Sequence, residues 1–381
     1  MKLLPIGLNV GKRGKFNMIP YINLRIDLLQ YQKSSYSLAD INIKIFKGNI
    51  TGIVGESGSG KSTIGKCLSG ALNADDVQFY GISSNDVNLF INDSQFLDCN
   101  IIEASHSQLN EYRKRVQYIY QNHRAAINMN DTVYGTLLES MKAGNRRLDT
   151  PKFHGLALSL LSLVGILSLD NGDDHKTMNK LDVISKYPIL SHKIKQLSGG
   201  QIKRILILKV ILFYPEVIIA DEPLTGLDAS KKGIILRLLN NEKEEREQKG
   251  KHLTTVMISH DIGMISKNCE NIYVMYGNSA RKYGQIIEEI YDKFSLSDSR
   301  IFSVHPYTEE LLAASKYFID EGSSQNISAP SPELGNGELG CIYDRCPHRD
   351  SSEGSNCHQE QHLKPNKYYP GNLVACHKCS E

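Results

Sequence analysis

"TGIVGESGSGKSTIGKCLSGAL", Thr51 to Leu72, decides the fold, because it places a glycine-rich loop between an apolar strand and the start of a helix. Within it Gly55, Gly60, Lys61 and Ser62 satisfy the spacing G-x-x-x-x-G-K-[ST], and Glu56, Ser57, Gly58, Ser59 and Thr63 complete the loop. Glycines let backbone N–H groups turn inward around phosphate oxygens, and the helix that follows offers its positive end. Lys61 is then placed to reach the terminal phosphates of a nucleotide, and Ser62 to ligate Mg²⁺.

Outward from this loop the patterning is that of a mixed α/β protein. "YINLRIDLL" (Tyr21–Leu29) and "DINIKIF" (Asp40–Phe46) alternate apolar and polar residues, which predicts half-buried strands of an antiparallel opening layer. "VQYIY" (Val116–Tyr120) reads as a strand ending at Gln121, and helical spacing from about Thr132 to Lys186 predicts an α-helical subdomain. A helix from about Gln201 stops before Pro215, and "VIIADEP" (Val217–Pro223) and "LTTVMISHD" (Leu253–Asp261) read as buried strands. "NIYVMY" and "GQIIEEI" are the last strands in the pattern. Strands alternating with helices predict a mainly parallel core sheet. The charged run Glu242–Lys251, at the end of a helix that begins at Ala229, reads as a solvated face and a turn.

Two acids, Asp221 and Glu222, fall at the carboxyl end of a buried strand, where open α/β sheets bind ligands. There Asp221 suits Mg²⁺ and Glu222 suits polarising an attacking water. His260 ends the next apolar strand, within reach of the same γ-phosphate, and Gln121 ends the strand before the helical subdomain, where it can sense Mg²⁺ or the water. A second candidate phosphate surface occurs in "LSGGQIKR" (Leu197–Arg204): Ser198, Gly199, Gly200 and Gln201 open a helix. An ordinary helix cap is the plain alternative, against which stand the five matching residues and the Lys203 and Arg204 that follow.

In this order, "GESGSGKST", Gln121, "LSGGQ", "VIIADEP", "TGLD" (Thr225–Asp228) and His260 resemble the nucleotide-binding subunits of ATP-binding-cassette transporters, over roughly residues 21–290. The resemblance implies a P-loop ATP-binding-cassette fold and ATP hydrolysis. It further implies a head-to-tail pair of subunits in which Ser198, Gly199, Gly200, Gln201 and Asp228 serve the partner's nucleotide. An aromatic upstream of the phosphate loop should stack on adenine; position favours Tyr31, with Tyr36 the alternative.

The remaining chain narrows the expectation. At 381 residues, 40% hydrophobic and 23% charged, the protein has room for one large core and an appendage; no nucleic-acid partner is expected, although the net charge of +2 is itself uninformative on that point. Pro5, Gly7 and Asn9 interrupt the first apolar stretch, and Lys209, Pro215 and Glu216 interrupt the longest later one, so neither a signal peptide nor a membrane span is expected. Five of eight cysteines crowd the end of the chain, at Cys341, Cys346, Cys357, Cys376 and Cys379, which favours a metal or iron–sulfur site over a disulfide framework. "HPYTEELLAA" (His305–Ala314) predicts a short helix with Pro306 in its first turn, and residues 321–340 a linker.

This tail resembles the C-terminal extension of importers for oligopeptides, dipeptides and nickel. The resemblance implies a [4Fe-4S] cluster, or Zn²⁺, on Cys341, Cys346, Cys357 and Cys376, with Cys379 an extra thiol. Expected partners are a second cassette subunit, two integral membrane permeases and an extracellular or periplasmic substrate-binding protein, the chain itself being peripheral on the cytoplasmic side of the membrane. The expected organisation is an extension (1–20), the cassette (21–300, helical subdomain about 122–200), the helix and linker (301–340) and the Cys-rich segment (341–381). Alternatives are a metal-chelate or oligosaccharide importer subunit and, from another class, a soluble cassette ATPase acting on nucleic acid or ribosomes. The apolar "IKRILILKVIL" after "LSGGQ" and the longer "SARKYGQIIEE" turn depart from the family's usual pattern.

Overall fold

The computed structural model describes residues 20–31, 36–72, 77–78, 87–91, 104–122, 124, 126–145, 148–169, 179–278, 282–291, 293, 296, 303–317, 343, 346, 362–369, 371–376 and 378–380. Residues 1–19 of the N-terminal extension, the 321–340 linker, Cys341 and Cys357 lie outside them, as do the side chain of Tyr31 and most of the 341–361 stretch.

The two alternating segments form β1 (Ile22–Tyr31) and β2 (Ser37–Ile45), paired antiparallel with Ile22 opposite Ile45 and Ile26 opposite Ile41. Their inward residues are buried and Arg25, Asp27, Asn42 and Lys44 face out, as a period of two requires. β3 (Ile50–Val54) leads into the phosphate loop and α1 (Lys61–Leu68). Two short strands, β4 (Val77–Gln78) and β5 (Val87–Ile91), both pair with β1. α2 (His106–Arg115), opened by a Ser105–Gln108 capping box, runs into β6 (Val116–Ile119).

The helical subdomain comprises α3 (Val133–Ala143), α4 (Thr150–Leu163) and α5 (Lys180–Lys186), capped by Thr132, Asp149 and Asn179. α6 (Gly199–Phe213) then crosses beneath it, followed by β7 (Val217–Asp221), α7 (Ala229–Gln248), β8 (Thr254–Ser259), α8 (Ile262–Asn268), β9 (Asn271–Asn278) and β10 (Tyr283–Ile290). β6, β7, β8, β3 and β9 are mutually parallel neighbours, and β10 returns antiparallel to β9. Every residue of β3, β7 and β8 is buried, which explains their continuous apolar runs: a central parallel strand is covered on both faces.

The unusual apolarity of α6 also has a structural reason. Ten of its fifteen residues are buried, because it packs against α3 and α4 of the subdomain and against β6 of the core sheet. At about 1.5–3 kcal/mol for each fully buried Leu or Ile, this one helix fastens the subdomain to the core sheet.

Two expectations change. Glu242 and Arg246, read as a solvated face, are only 7% and 2% exposed. Arg246 Nε donates to Glu242 Oε1 (2.9 Å), Nη1 donates to the Pro215 carbonyl, and the guanidinium stacks 3.7 Å from the centre of the Tyr214 ring. Second, Lys203 and Arg204 are buried rather than offered to an anion. Toward the end of the chain, β12 (Leu373–Val374) pairs with β10 and with β11 (Lys364–Pro365), and Tyr343 and Ala375 enter the core formed by β3, β8, β9 and α9 (Pro306–Tyr317).

Candidate nucleotide site

The phosphate loop is shaped by close approach. Gly60 sits at φ 101° and caps α1, and a Cβ there would lie 2.2 Å from Leu38. Gly277 and Gly284, on neighbouring strands, make the floor: a Cβ on Gly284 would meet the Ser59 carbonyl at 2.4 Å, and one on Gly277 the Ser59 Cα at 2.7 Å. Sequence patterning did not single out these two glycines, since each sits in or beside an apolar strand run that period and composition already account for. Lys61 Nζ donates to the carbonyls of Gly55 (2.8 Å) and Glu56 (2.6 Å). Burial pulls its ammonium below the usual lysine range, opposed by Glu222, Asp221 and Glu56.

A cavity of about 1350 Å³ opens above this loop. Glu56, Ser57, Gly58, Gly60, Lys61, Ser62 and Thr63 line it, together with Tyr36, Gln121, Asp221, Glu222 and His260. Residues from strands far apart in the chain therefore meet at one sheet edge, because β3, β6, β7 and β8 run parallel and all end there. Tyr36 lies in the wall beside the loop, while Tyr31 is in β1, opposite Val77.

Asp221 and Glu222 are held by different partners. Tyr118 donates to Asp221 Oδ2 (2.7 Å), whereas Asp221 Oδ1 is buried with no hydrogen-bond partner among the described residues. An orphaned carboxylate oxygen in a cavity shared with the Ser62 hydroxyl fits a hard divalent cation such as Mg²⁺. Glu222 Oε1 accepts from the His260 backbone N–H (3.0 Å) and from its ring Nδ1–H (2.7 Å), and Oε2 accepts from Thr225 Oγ1 (2.7 Å). Its backbone is left-handed, φ 48°, a conformation that costs about 1–3 kcal/mol for a side-chain-bearing residue and concentrates at functional positions.

Lys203, 4% exposed, reaches from α6 to this turn: Nζ donates to the carbonyls of Glu222 (2.7 Å) and Thr225 (2.6 Å). Burial lowers its ammonium from the ordinary lysine value, an effect opposed by Glu222 and Asp221. Arg204 instead donates to the carbonyls of Val164 and Gly165 (3.0 Å to the latter), tying α6 to the end of α4.

The "LSGGQ" stretch lies apart from the cavity. Ser198 accepts from Gln201 N (3.3 Å) and Gln201 Oε1 accepts from Ser198 N (2.9 Å), a reciprocal capping box. The plain cap reading is thus realised, yet Ser198 is exposed and Gly199 and Gly200 are half-exposed at the start of a fifteen-residue helix. None of these, nor Asp228, lines the cavity that holds Lys61. Asp228 is fully exposed and caps α7, and its hydrogen bonds from Ser230 and the Lys231 N–H hold its carboxyl below the usual range.

Of the tail cysteines, Cys376 and Cys379 are buried and Cys346 is half-buried. A hydrogen bond from the Cys379 thiol favours the thiolate of Cys376, whose pKa falls as a result. Among the described residues no group of three or more His, Cys, Asp or Glu side chains is disposed to hold a metal ion.

Comparison with known proteins follows the same lines. The family described as "ABC transporter" matches residues 38–225. YkfD of Bacillus subtilis is 30% identical over 355 residues, covering 88% of each chain. The oligopeptide transport ATP-binding protein OppD of Salmonella typhimurium is 27% identical, covering 95% of this chain and 94% of its own. Among solved structures, cbiO1 from Clostridium perfringens, part of the ABC transporter complex cbiONQ, has a TM-score of 0.51 at 21% identity over 74% of this chain and 93% of that one. The ATP-binding cassette MJ0796 bound to ADP and Pi has a TM-score of 0.51 at 19% identity, covering 71% and 97%. These structural likenesses establish the fold. The chain belongs to the ABC transporter family of ATP-binding ATPases. Within it, the similarity to OppD and to the dipeptide transport ATP-binding protein DppF of Lactococcus lactis (27% identical, 83% of each chain) extends well past the cassette motifs.

Proposed function

We propose that this chain is the ATP-hydrolysing subunit of an importer for oligopeptides or dipeptides, working as a pair of cassette subunits beneath two membrane permeases that an extracellular or periplasmic binding protein supplies. The observation that carries the paired site is a separation. Lys61, Asp221, Glu222 and His260 share one cavity, while the Ser198–Gln201 helix start faces outward elsewhere on the same chain. A second copy, or a related subunit, would bring its own Ser198 and Gly200 to the open side of that cavity. The names of OppD and DppF support the peptide cargo. Among the described residues no helix is long and apolar enough to cross a membrane; the peripheral place on the cytoplasmic side is part of the proposal.

In this reading the loop N–H groups and Lys61 bind the phosphates, Tyr36 rather than Tyr31 stacks on adenine, and Glu222, oriented by His260 and Thr225, takes the proton of the attacking water. Ser62, Asp221 and Gln121 would hold Mg²⁺, which when bound neutralises phosphate charge. Gln121, at the edge of the helical subdomain, transmits the state of the site toward the permeases.

Ser198→Asp tests the lid. Asp caps a helix as well as Ser does, so thermal stability should match the parent, but the added charge would meet a partner's γ-phosphate. ATPase activity is expected to fall about 100-fold, with ATP binding by the single subunit retained. Parent-rate hydrolysis would rule the lid out.

For the tail, Cys341, Cys346, Cys357 and Cys376 are proposed as ligands of a [4Fe-4S] cluster, with Zn²⁺ the alternative; thiolate character at Cys376 suits either. Protein purified without oxygen should carry about four irons per chain and a broad visible absorption band. About one zinc and no colour would select the alternative, and neither metal would leave free thiols.

A further inference from the structure

The "HPYT" helix lines the cavity through Leu311, Ala314 and Ser315, and near its start it also touches the phosphate loop itself. The backbone N–H of Glu56, in the phosphate loop, donates to the hydroxyl of Tyr307 (2.9 Å), 251 residues further along the chain. Tyr307 is wholly buried in the first turn of α9 and does not line the cavity. Its ring packs edge-on against Tyr276 (centroids 4.9 Å) and Tyr343 (5.6 Å), and those two pack on each other (5.2 Å), so that three tyrosines close a triangle. Tyr276 belongs to β9, whose Met275 carbonyl presses on Gly55 so closely that a Cβ there would lie 2.1 Å away.

The third corner comes from the tail. Tyr343 lies between Cys341 and Cys346 in sequence, and its hydroxyl donates to Glu310 on α9. α9 is in turn anchored at its start: the Thr308 hydroxyl (2.5 Å) and the His305 N–H (3.2 Å) both donate to the buried Glu288, in the strand that pairs with β12. The Tyr307 hydroxyl thus joins the phosphate loop to a block that the tail helps to build.

We propose that Tyr307 is a positioning residue for the phosphate loop, and that Tyr343 makes nucleotide affinity depend on how the Cys-bearing segment is seated. The physical basis is that the part-buried Glu56 N–H loses a hydrogen bond that holds the loop when its acceptor is removed, and packed tyrosine edges transmit displacement where a solvated linker would not. The inference rests on the nucleotide-site reading above. It adds that the tail acts on ATP binding through packing, whichever metal its cysteines hold.

The test measures ATP and ADP affinity by calorimetry on the full chain, with the thermal midpoint of each variant as a check of folding. Tyr307→Phe keeps the ring and removes the hydroxyl, and is expected to weaken binding about tenfold, the loss falling on KM far more than on kcat. Tyr343→Ala should weaken binding about fivefold and add little to Tyr307→Phe in the double variant, since coupled residues are not additive. Tyr343→Phe, which retains the ring, should stay within about twofold of the parent. Parent-like affinity in Tyr307→Phe, additive losses in the double variant, or Tyr343→Phe as weak as Tyr343→Ala would each overturn the proposal. A parent chain that binds no nucleotide would instead overturn the nucleotide-site reading on which it rests.

Discussion

Glu222→Gln is expected to reduce ATP turnover by about 10²- to 10⁴-fold while leaving ATP affinity at the parent level. The surroundings of the carboxylate explain why the two effects separate. Its Oε1 accepts two N–H groups of His260, which cannot reverse their roles together, so the amide oxygen of glutamine must take that side. The amide NH₂ then faces Thr225, whose hydroxyl can rotate from donor to acceptor. The turn survives, and so do Lys61 and the loop glycines that bind phosphate. What is lost is the basic oxygen. With hydrolysis blocked, ATP should hold two subunits closed, visible as an ATP-dependent doubling of mass in light scattering. Hydrolysis by the variant at the parent rate would show that another group takes the proton.

Arg246→Ala is expected to destabilise the fold by about 3–5 kcal/mol, the cost of breaking a buried ion pair by removing one member. Three contacts of the guanidinium are lost at once: those to the buried Glu242 carboxylate, to the Pro215 carbonyl and to the face of the Tyr214 ring. Lys249→Ala supplies the control three residues on. Its pair with Glu245 spans 3.5 Å with both side chains 62% exposed, and such pairs contribute at most about 1 kcal/mol. Denaturant midpoints of the two variants should therefore differ widely, although charge patterning makes the residues look alike. Equal midpoints would mean that the Glu242–Arg246 pair adds nothing to stability.

That pair marks where patterning stops being informative. "NNEKEEREQK" is polar throughout, and nothing in its composition separates Arg246 from Lys249; the difference is that Tyr214, left-handed at the end of α6, presents its ring to one of them. Lys203 and Arg204 show the same limit. Next to "SGG" they look like an anion site, and they turn inward because the carbonyls of Glu222, Thr225, Val164 and Gly165 surround them. Tyr118 reads as one more apolar strand residue until Asp221 is placed beside it.

By itself the sequence determined the phosphate loop, the buried strands that carry Asp221 and Glu222, the capped helix starts and the alternation of β1 and β2. Each depends on near neighbours: a glycine where the backbone turns tightly, a period of two or of 3.6, a hydroxyl three residues before an amide. Only the tertiary structure decided that Gly277 and Gly284 floor the loop, that the last strand of the tail joins β10, and that Tyr307 meets Glu56. These contacts join residues far apart in the chain through side chains whose types are compatible with many partners, so their identity emerges only when the packed sheet brings one partner within reach.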